Sequence, residues 1–187
     1  MNQSMSASAF YDAGPLEQVA INLFYGWGYN FYRKENQLRA DDLLIRSKVG
    51  ALLGSARKSV AAAEGDYRRD FLPPPSREKP RPDAGAVAGA QAIERLARAI
   101  GAVAGQITAQ PAPENDRMTQ RHRQEAGTLE QLIASDQKLA GQAELLRSML
   151  DQRDGAWIIE NMAALQEGIA AIAETLRTRQ MLLFPAA

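Results

Sequence analysis

An apolar seam over residues 118–153 constrains the fold more than any other feature of this sequence. Its positions recur in alternating steps of three and four residues, which gives the period of about 3.5 residues that is typical of a coiled-coil helix. They are Met118, His122, Glu125, Leu129, Leu132, Asp136, Leu139, Ala143, Leu146, Leu150 and Arg153. A helix with so narrow a seam is not stable alone in water, because the seam must be buried against another element.

A second seam follows within a few residues of the first. It comprises Ile158, Met162, Leu165, Ile169, Ile172, Leu176 and Leu183. Two such helices, joined by a short corner at Asp154 and Gly155, are expected to close on each other as an antiparallel helical hairpin.

The N-terminal third of the chain predicts a flexible tail followed by a helical segment. Residues 1–14 are mostly small and polar, whereas Pro15 suits a first helical position. An apolar face then continues to about Ala63, so we assign residues 15–63 to an aromatic-rich helical segment. A helix through Gly26 and Gly28 and a loop at them both remain open. As one helix, the segment would reach about 70 Å and form an extended arm.

The rest of the chain divides into a linker and three helices. Residues 64–83 are rich in proline and charge and show no apolar period, which indicates a linker. Asp83 can cap the helix that follows, and the apolar faces predict a three-helix unit over residues 84–184. Its helices are expected at about 84–109, 114–153 and 156–183. The predicted fold class is therefore all-α: an antiparallel helical bundle or coiled-coil hairpin with an extended N-terminal helical arm.

Composition removes several functional classes. The 187-residue chain has no cysteine, so disulfides, thiolate metal sites and cysteine nucleophiles are excluded. Its formal net charge is zero, which gives no global indication of nucleic acid as a partner. The most apolar uncharged run, residues 19–32, is too short for a membrane span of about 20 residues. We expect a soluble chain without a secretory signal, located in the cytoplasm.

Two acidic residues, Glu125 and Asp136, occupy seam positions where apolar residues are expected. Polar seam residues can fix the alignment of long helices. The alternative is a carboxylate metal site in a bundle core, but the di-iron pattern requires Glu-x-x-His from each of two helices. This chain has one histidine, His122, and Thr119 precedes it at the spacing where that pattern requires glutamate. We therefore predict no metal and no cofactor.

An aromatic run between residues 24 and 32 is the sharpest compositional anomaly. Six rings within nine residues cannot all face one side of a helix, so some are expected to be available to a partner. The alternatives are core packing, shallow membrane insertion and base stacking. The predicted partner-binding residues are Phe24, Tyr25, Trp27, Tyr29, Phe31 and Tyr32.

The common catalytic motifs are missing from the sequence, among them GxSxG, the P-loop, the dinucleotide GxGxxG and HExxH. No catalytic residue can be assigned, and we predict that the chain is not an enzyme. The predicted function is that of an interaction or assembly subunit that docks on another protein chain or on copies of itself through apolar and aromatic helix faces. The alternatives are a small helical enzyme or ligand-binding bundle and a nucleic-acid-associated helical protein.

Overall fold

The computed structural model describes residues 7–29, 37–77, 80–110 and 126–183. Within these ranges every regular element is helical and no strand occurs, which confirms the all-α class. The elements are a short 3-10 helix, η1 (Ala7–Phe10), and six α-helices: α1 (Ala13–Trp27), α2 (Gln37–Phe71), α3 (Ala84–Ala109), α4 (Ala126–Leu150), α5 (Gly155–Glu160) and α6 (Met162–Leu183).

Helix α1 continues through the first glycine of the aromatic run and ends at the second. Gly28 has a φ of 74°, in the left-handed region, and its N–H donates to the carbonyl of Phe24 over 3.1 Å. A glycine adopts this conformation without the steric penalty of a side chain, which makes it the usual helix terminator. The segment predicted over residues 15–63 is therefore not one continuous helix.

Helix α2 ends at Phe71, eight residues beyond the predicted boundary at Ala63. The half-buried ring of Tyr67 explains the extension, because it packs in a slot between Gly89 of α3 and Gly155 of α5. A Cβ atom at Gly155 would lie 2.8 Å from Tyr67 Cβ, so neither neighbour leaves room for a larger residue. The non-helical part of the predicted linker begins only at Leu72.

The segment around Phe10 also differs from the flexible tail expected over residues 1–14. Phe10 is completely buried, and its ring lies where a side chain at Gly168 of α6 would otherwise be. Gln142 of α4 donates through Nε2 to the backbone carbonyl of Phe10 over 2.9 Å. Both partners are more than 130 residues away in sequence, so local composition gives no sign of this anchor.

Helices α2 and α4 are central to the packing. Helix α2 packs on α3, α4 and α5, and α4 packs on α1, α2 and α6. The segment predicted to form an extended arm, residues 15–63, is therefore packed against the other helices, because α1 and α2 both carry buried apolar faces. The apolar seam positions described in α4 and the matching ones in α6 are buried or half-buried: Leu132, Leu139, Ala143, Leu146, Leu150, Met162, Leu165, Ile169, Ile172 and Leu176.

Hydropathy along the helices bears on membrane insertion. Over the ranges that the structure covers, no helix combines the length and apolar character needed to cross a bilayer.

Candidate docking face and the buried charge cluster beside it

Helix α1 buries one face and exposes the other. Leu16, Ala20 and Phe24, spaced four residues apart, form its buried side against α4. Ile21 and Tyr25 lie one turn apart on the exposed side of the helix, and Tyr25 is 93% exposed. We call this pair the docking face. Tyrosine is one of the residue types enriched among the anchors of protein interfaces.

The six predicted partner-binding residues do not share one environment. Phe24 is buried in the core, and Trp27 is half-buried with its ring centroid 5.9 Å from that of Phe24. Tyr29 is only 6% exposed. Phe31 and Tyr32 lie outside the described residues. The six-residue docking surface stays a prediction, and within the described part of the run Tyr25 presents the most accessible ring.

Tyr29 fixes the C-terminal end of α1. Its ring lies 4.4 Å, centroid to centroid, from Phe24, and its hydroxyl donates to Asp136 Oδ2 of α4 over 2.8 Å. Asp136 is completely buried, so this hydrogen bond forms in a low-dielectric environment where it is strengthened. The docking face therefore lies on a helix that is held at both ends, by Phe10 before it and Tyr29 after it.

Asp136 belongs to a buried cluster of four charged side chains on three helices. Arg179 of α6, itself completely buried, donates through Nε to Asp136 Oδ1 and through Nη1 to Asp42 Oδ1 of α2, the latter over 2.8 Å. Arg46 Nε lies 3.0 Å from Asp42 Oδ2, close enough for an ion pair although not aligned as a hydrogen bond. Within this cluster two carboxylates thus face two guanidinium groups, and Asp41, the neighbour of Asp42 in α2, is buried as well.

The cluster extends to the end of α3, because Arg46 Nη1 donates to the backbone carbonyl of Gln110. It therefore joins α1, α2, α4, α6 and the end of α3 through side chains that are at most 8% exposed. Groups so buried cannot contact a substrate that arrives from solvent. Their chemistry suits alignment of the helices, since a buried charge tolerates only the packing that pairs it.

Sequence reasoning found Asp136 on the seam but missed its partner. The steps of three and four in the second seam run from Leu176 through position 179 to Leu183, so Arg179 occupies a seam position. A basic residue at a seam position, opposite an acidic one in the neighbouring seam, was the available signal. Asp42 and Arg46 gave no comparable signal, because charged residues are common throughout that part of α2.

Close to the docking face, an apolar groove of about 300 Å³ lies between α4 and the start of α1. Its lining includes Pro15, Leu16, Val19 and Leu145. Half-exposed Tyr11 precedes this region and donates its hydroxyl to Glu167 Oε1 over 2.5 Å. This hydrogen bond, with smaller contributions from burial and from the negative charge of Glu167, raises the pKa of Tyr11 above its ordinary value of 10.0.

The metal alternative considered for the seam involves Glu125, Asp136 and His122. Glu125 and His122 lie outside the described residues, and Asp136 accepts hydrogen bonds from Arg179 and Tyr29. Among the residues that are described, no group of three or more histidine, aspartate or glutamate side chains is placed to hold a metal ion.

Comparison with known proteins does not add to this geometry. No family model, no curated protein and no solved structure matches the chain. Function must therefore be inferred from the residues themselves.

Proposed function

We propose that this chain is a non-catalytic interaction or assembly subunit. It docks on a partner protein, or on copies of itself, through apolar and aromatic helix faces. The observation that carries the proposal is the exposed ring of Tyr25 beside Ile21 on the outer side of α1. A cytoplasmic location is part of the same proposal.

Rigidity makes the docking face suitable as an anchor. Tyr29 and Phe10 hold the two ends of the segment through bonds to α4, so the ring of Tyr25 is presented from a fixed backbone. A tyrosine loses little side-chain entropy on binding, and pre-organisation lowers the cost of association further. At about 25 cal/mol per Å², a few hundred Å² of apolar area buried there would supply several kcal/mol before association costs.

We further propose that α4 and α6 form the antiparallel coiled-coil hairpin indicated by their seams. Two contacts support this arrangement. Asp136 of α4 is bonded to Arg179 of α6, whereas Gln142 and Gly168 both contact Phe10. From Asp136 to Gln142 the residue numbers of α4 increase, whereas those of the α6 residues beside them decrease from Arg179 to Gly168. This is the order expected for two helices that run in opposite directions. Asp154, which accepts from the N–H of Trp157 over 2.8 Å, caps the helix after the corner.

The proposal is tested by replacing the docking face without disturbing the core. The variant Ile21→Ser with Tyr25→Ser alters only exposed side chains, so its helicity by circular dichroism should match that of the wild type. Sedimentation velocity over a concentration series measures self-association. Where the wild type is monomeric, each protein is used as bait in extracts of its native cell, and the captured chain is then titrated by calorimetry.

The matched control is Met181→Ser on α6, which alters an apolar residue whose exposure, 64%, lies between that of Ile21, 41%, and that of Tyr25, 93%. We expect the docking-face variant to lose binding by at least about tenfold, which corresponds to 1.4 kcal/mol. The control should bind like the wild type. Equal binding by the docking-face variant and the wild type would refute the assignment to Ile21 and Tyr25.

A further inference from the structure

A second surface, independent of the docking face, lies between α2 and α3. A furrow of about 560 Å³ runs along the two helices, and its lining includes Gly50, Gly101, Ala104 and Gly105. A Cβ atom added at Gly50 or Gly105 would meet nothing within 4 Å, so the space is open at these two positions. At Gly101 the side chain of Arg57 lies across the floor, because an added Cβ atom would be 3.4 Å from Arg57 Cδ. Leu43 and Arg57 also line it, fourteen residues or about 21 Å apart along α2.

The furrow is basic although the whole chain is neutral. Neither residues 43–63 of α2 nor residues 95–109 of α3 contain an aspartate or glutamate. Of their six basic residues, Arg46 and Arg57 line the furrow. No carboxylate side chain lines the furrow. Its charge therefore favours an acidic occupant.

Two arginines in the lining differ in how far their charge is compensated. Arg46 is nine-tenths buried and paired with Asp42, although its Nε makes no hydrogen bond. Arg57 is exposed, and neither it nor its neighbour Lys58 has an ion pair within the described ranges. Uncompensated positive charge thus gathers at the Arg57 end, while the exposed side chain of Leu43 makes the other end apolar.

We propose that this furrow binds an acidic amphipathic helix of a partner protein. Glycine at positions 50 and 105 lets the backbone of a docked helix approach closely. The lining residues of α2 extend from Leu43 to Arg57, over about 21 Å or about four helical turns. The docked helix carries an apolar residue over Leu43 and, about four turns away, carboxylates that pair with Arg57 and Lys58. A compact phosphate fits less well, because the Thr108 hydroxyl already donates to the Ala104 carbonyl and the apolar end at Leu43 would stay uncovered.

An unbiased selection of displayed peptides can identify which residue types the furrow prefers in an occupant. Helical peptides of about 20 residues, with each outward position drawn equally from Glu, Lys, Leu and Ala, are displayed on yeast and sorted for binding to the full chain. The dissociation constants of the enriched peptides are then measured by fluorescence anisotropy at low and high salt. We expect enrichment of glutamate over lysine, an apolar residue about four turns away, and weaker binding at high salt.

Variants of the chain locate the binding. Arg57→Glu with Lys58→Glu should weaken the enriched peptides by at least about tenfold, equivalent to 1.4 kcal/mol. Gly105→Leu, which fills the floor, should also weaken them. The matched control is Arg95→Glu, at an exposed arginine of α3 outside the lining, and it should bind like the wild type. Circular dichroism checks that every variant retains its helicity.

Two results would overturn the proposal. One is a selection that yields no peptides or only lysine-rich peptides, or one whose enriched peptides have the same dissociation constant for the Arg57→Glu, Lys58→Glu variant as for the wild type. The other is self-association of the chain that this variant abolishes, which would assign the furrow to a second copy instead. Either result leaves the docking face on α1 untouched, because α1 packs on α4 and does not line the furrow.

Discussion

The contact between α1 and α4 uses glycine in the opposite way to the stretch of the α2–α3 contact around Gly50 and Gly105. At Gly141 of α4, an added Cβ atom would lie 2.5 Å from the backbone oxygen of Leu16, so the two helices already touch. At Gly50 of α2 and Gly105 of α3, an added Cβ atom meets nothing within 4 Å. The first contact is closed and backbone-to-backbone, and the second leaves a furrow.

This difference separates a structural role from the proposed binding role. The closed side holds α1 in place and, with Phe10 and Tyr29, fixes where the docking face lies. The open side contains volume that packing does not fill, beside uncompensated basic charge. Small residues alone do not distinguish these cases, because glycine occurs in both. The atoms that surround each glycine distinguish the closed contact from the open one.

The largest expected effect concerns the buried charge cluster of the closed side. Arg179→Met removes the guanidinium that pairs with Asp42 and Asp136 and leaves two buried carboxylates with less compensation. We expect the free energy of unfolding, measured by urea titration with circular dichroism, to fall by about 3–5 kcal/mol. The control is Arg177→Met, which removes an exposed arginine paired with Glu174 and should change stability by less than about 1 kcal/mol. Similar losses in both variants would contradict a special role for the cluster.

A smaller loss is expected from filling the closed contact. Gly141→Ala gains helix propensity of about 1 kcal/mol but forces the new Cβ atom against the backbone of α1. Overpacking of this kind costs about 1–3 kcal/mol, and backbone atoms cannot rotate away as a side-chain end can. We expect a net decrease in the free energy of unfolding. An increase measured by the same urea titration would show that α1 can shift without loss.

The same substitution on the open side should have the opposite sign. Gly50→Ala places its methyl group in free space, so only the gain in helix propensity remains. We expect the free energy of unfolding to rise by about 0.5–1 kcal/mol in the same assay. A loss of stability at Gly50 would mean that the furrow is closed in solution and would remove the contrast between the two contacts.

Some of this organisation could be predicted from the sequence, and the rest depends on long-range contacts. Apolar periodicity identified the helical class and placed Asp136 on a buried seam. It could not reveal that α2 continues past Ala63, because Tyr67 is accommodated by Gly89 and Gly155 of other helices. Nor could it show that Phe10 is buried, since the space for its ring lies on α6.

The aromatic run shows the same division between local and distant information. A helical wheel of α1 separates Phe24 from Tyr25, so the opposite environments of these neighbours follow from local geometry. The burial of Tyr29 does not follow from local geometry, because it depends on Asp136, which lies 107 residues away in the sequence. Local patterns therefore place a side chain on a face, whereas the identity of the facing residue decides whether that face is closed.

The smallest expected effect concerns the Tyr11–Glu167 hydrogen bond just before α1 and the pH dependence of the free energy of unfolding. The hydrogen bond from Tyr11 to Glu167 raises the pKa of Tyr11 in the folded chain, so it favours the neutral phenol. A raised folded pKa contributes stability that is fully present below the unfolded pKa of about 10 and is lost as pH rises through the folded value. Tyr11→Phe should therefore be slightly less stable than the wild type near pH 8. The two stabilities should converge above about pH 10.

Urea titrations at several pH values measure this convergence. Glu167→Ala removes the acceptor and should reproduce the effect, and the double variant should show little further change because both substitutions remove one interaction. A constant difference between Tyr11→Phe and the wild type across the whole pH range would instead assign the contribution of Tyr11 to packing. In that case the hydrogen bond to Glu167 would not help to hold the start of α1, and the closed contact would depend on Phe10, Gly141 and Tyr29.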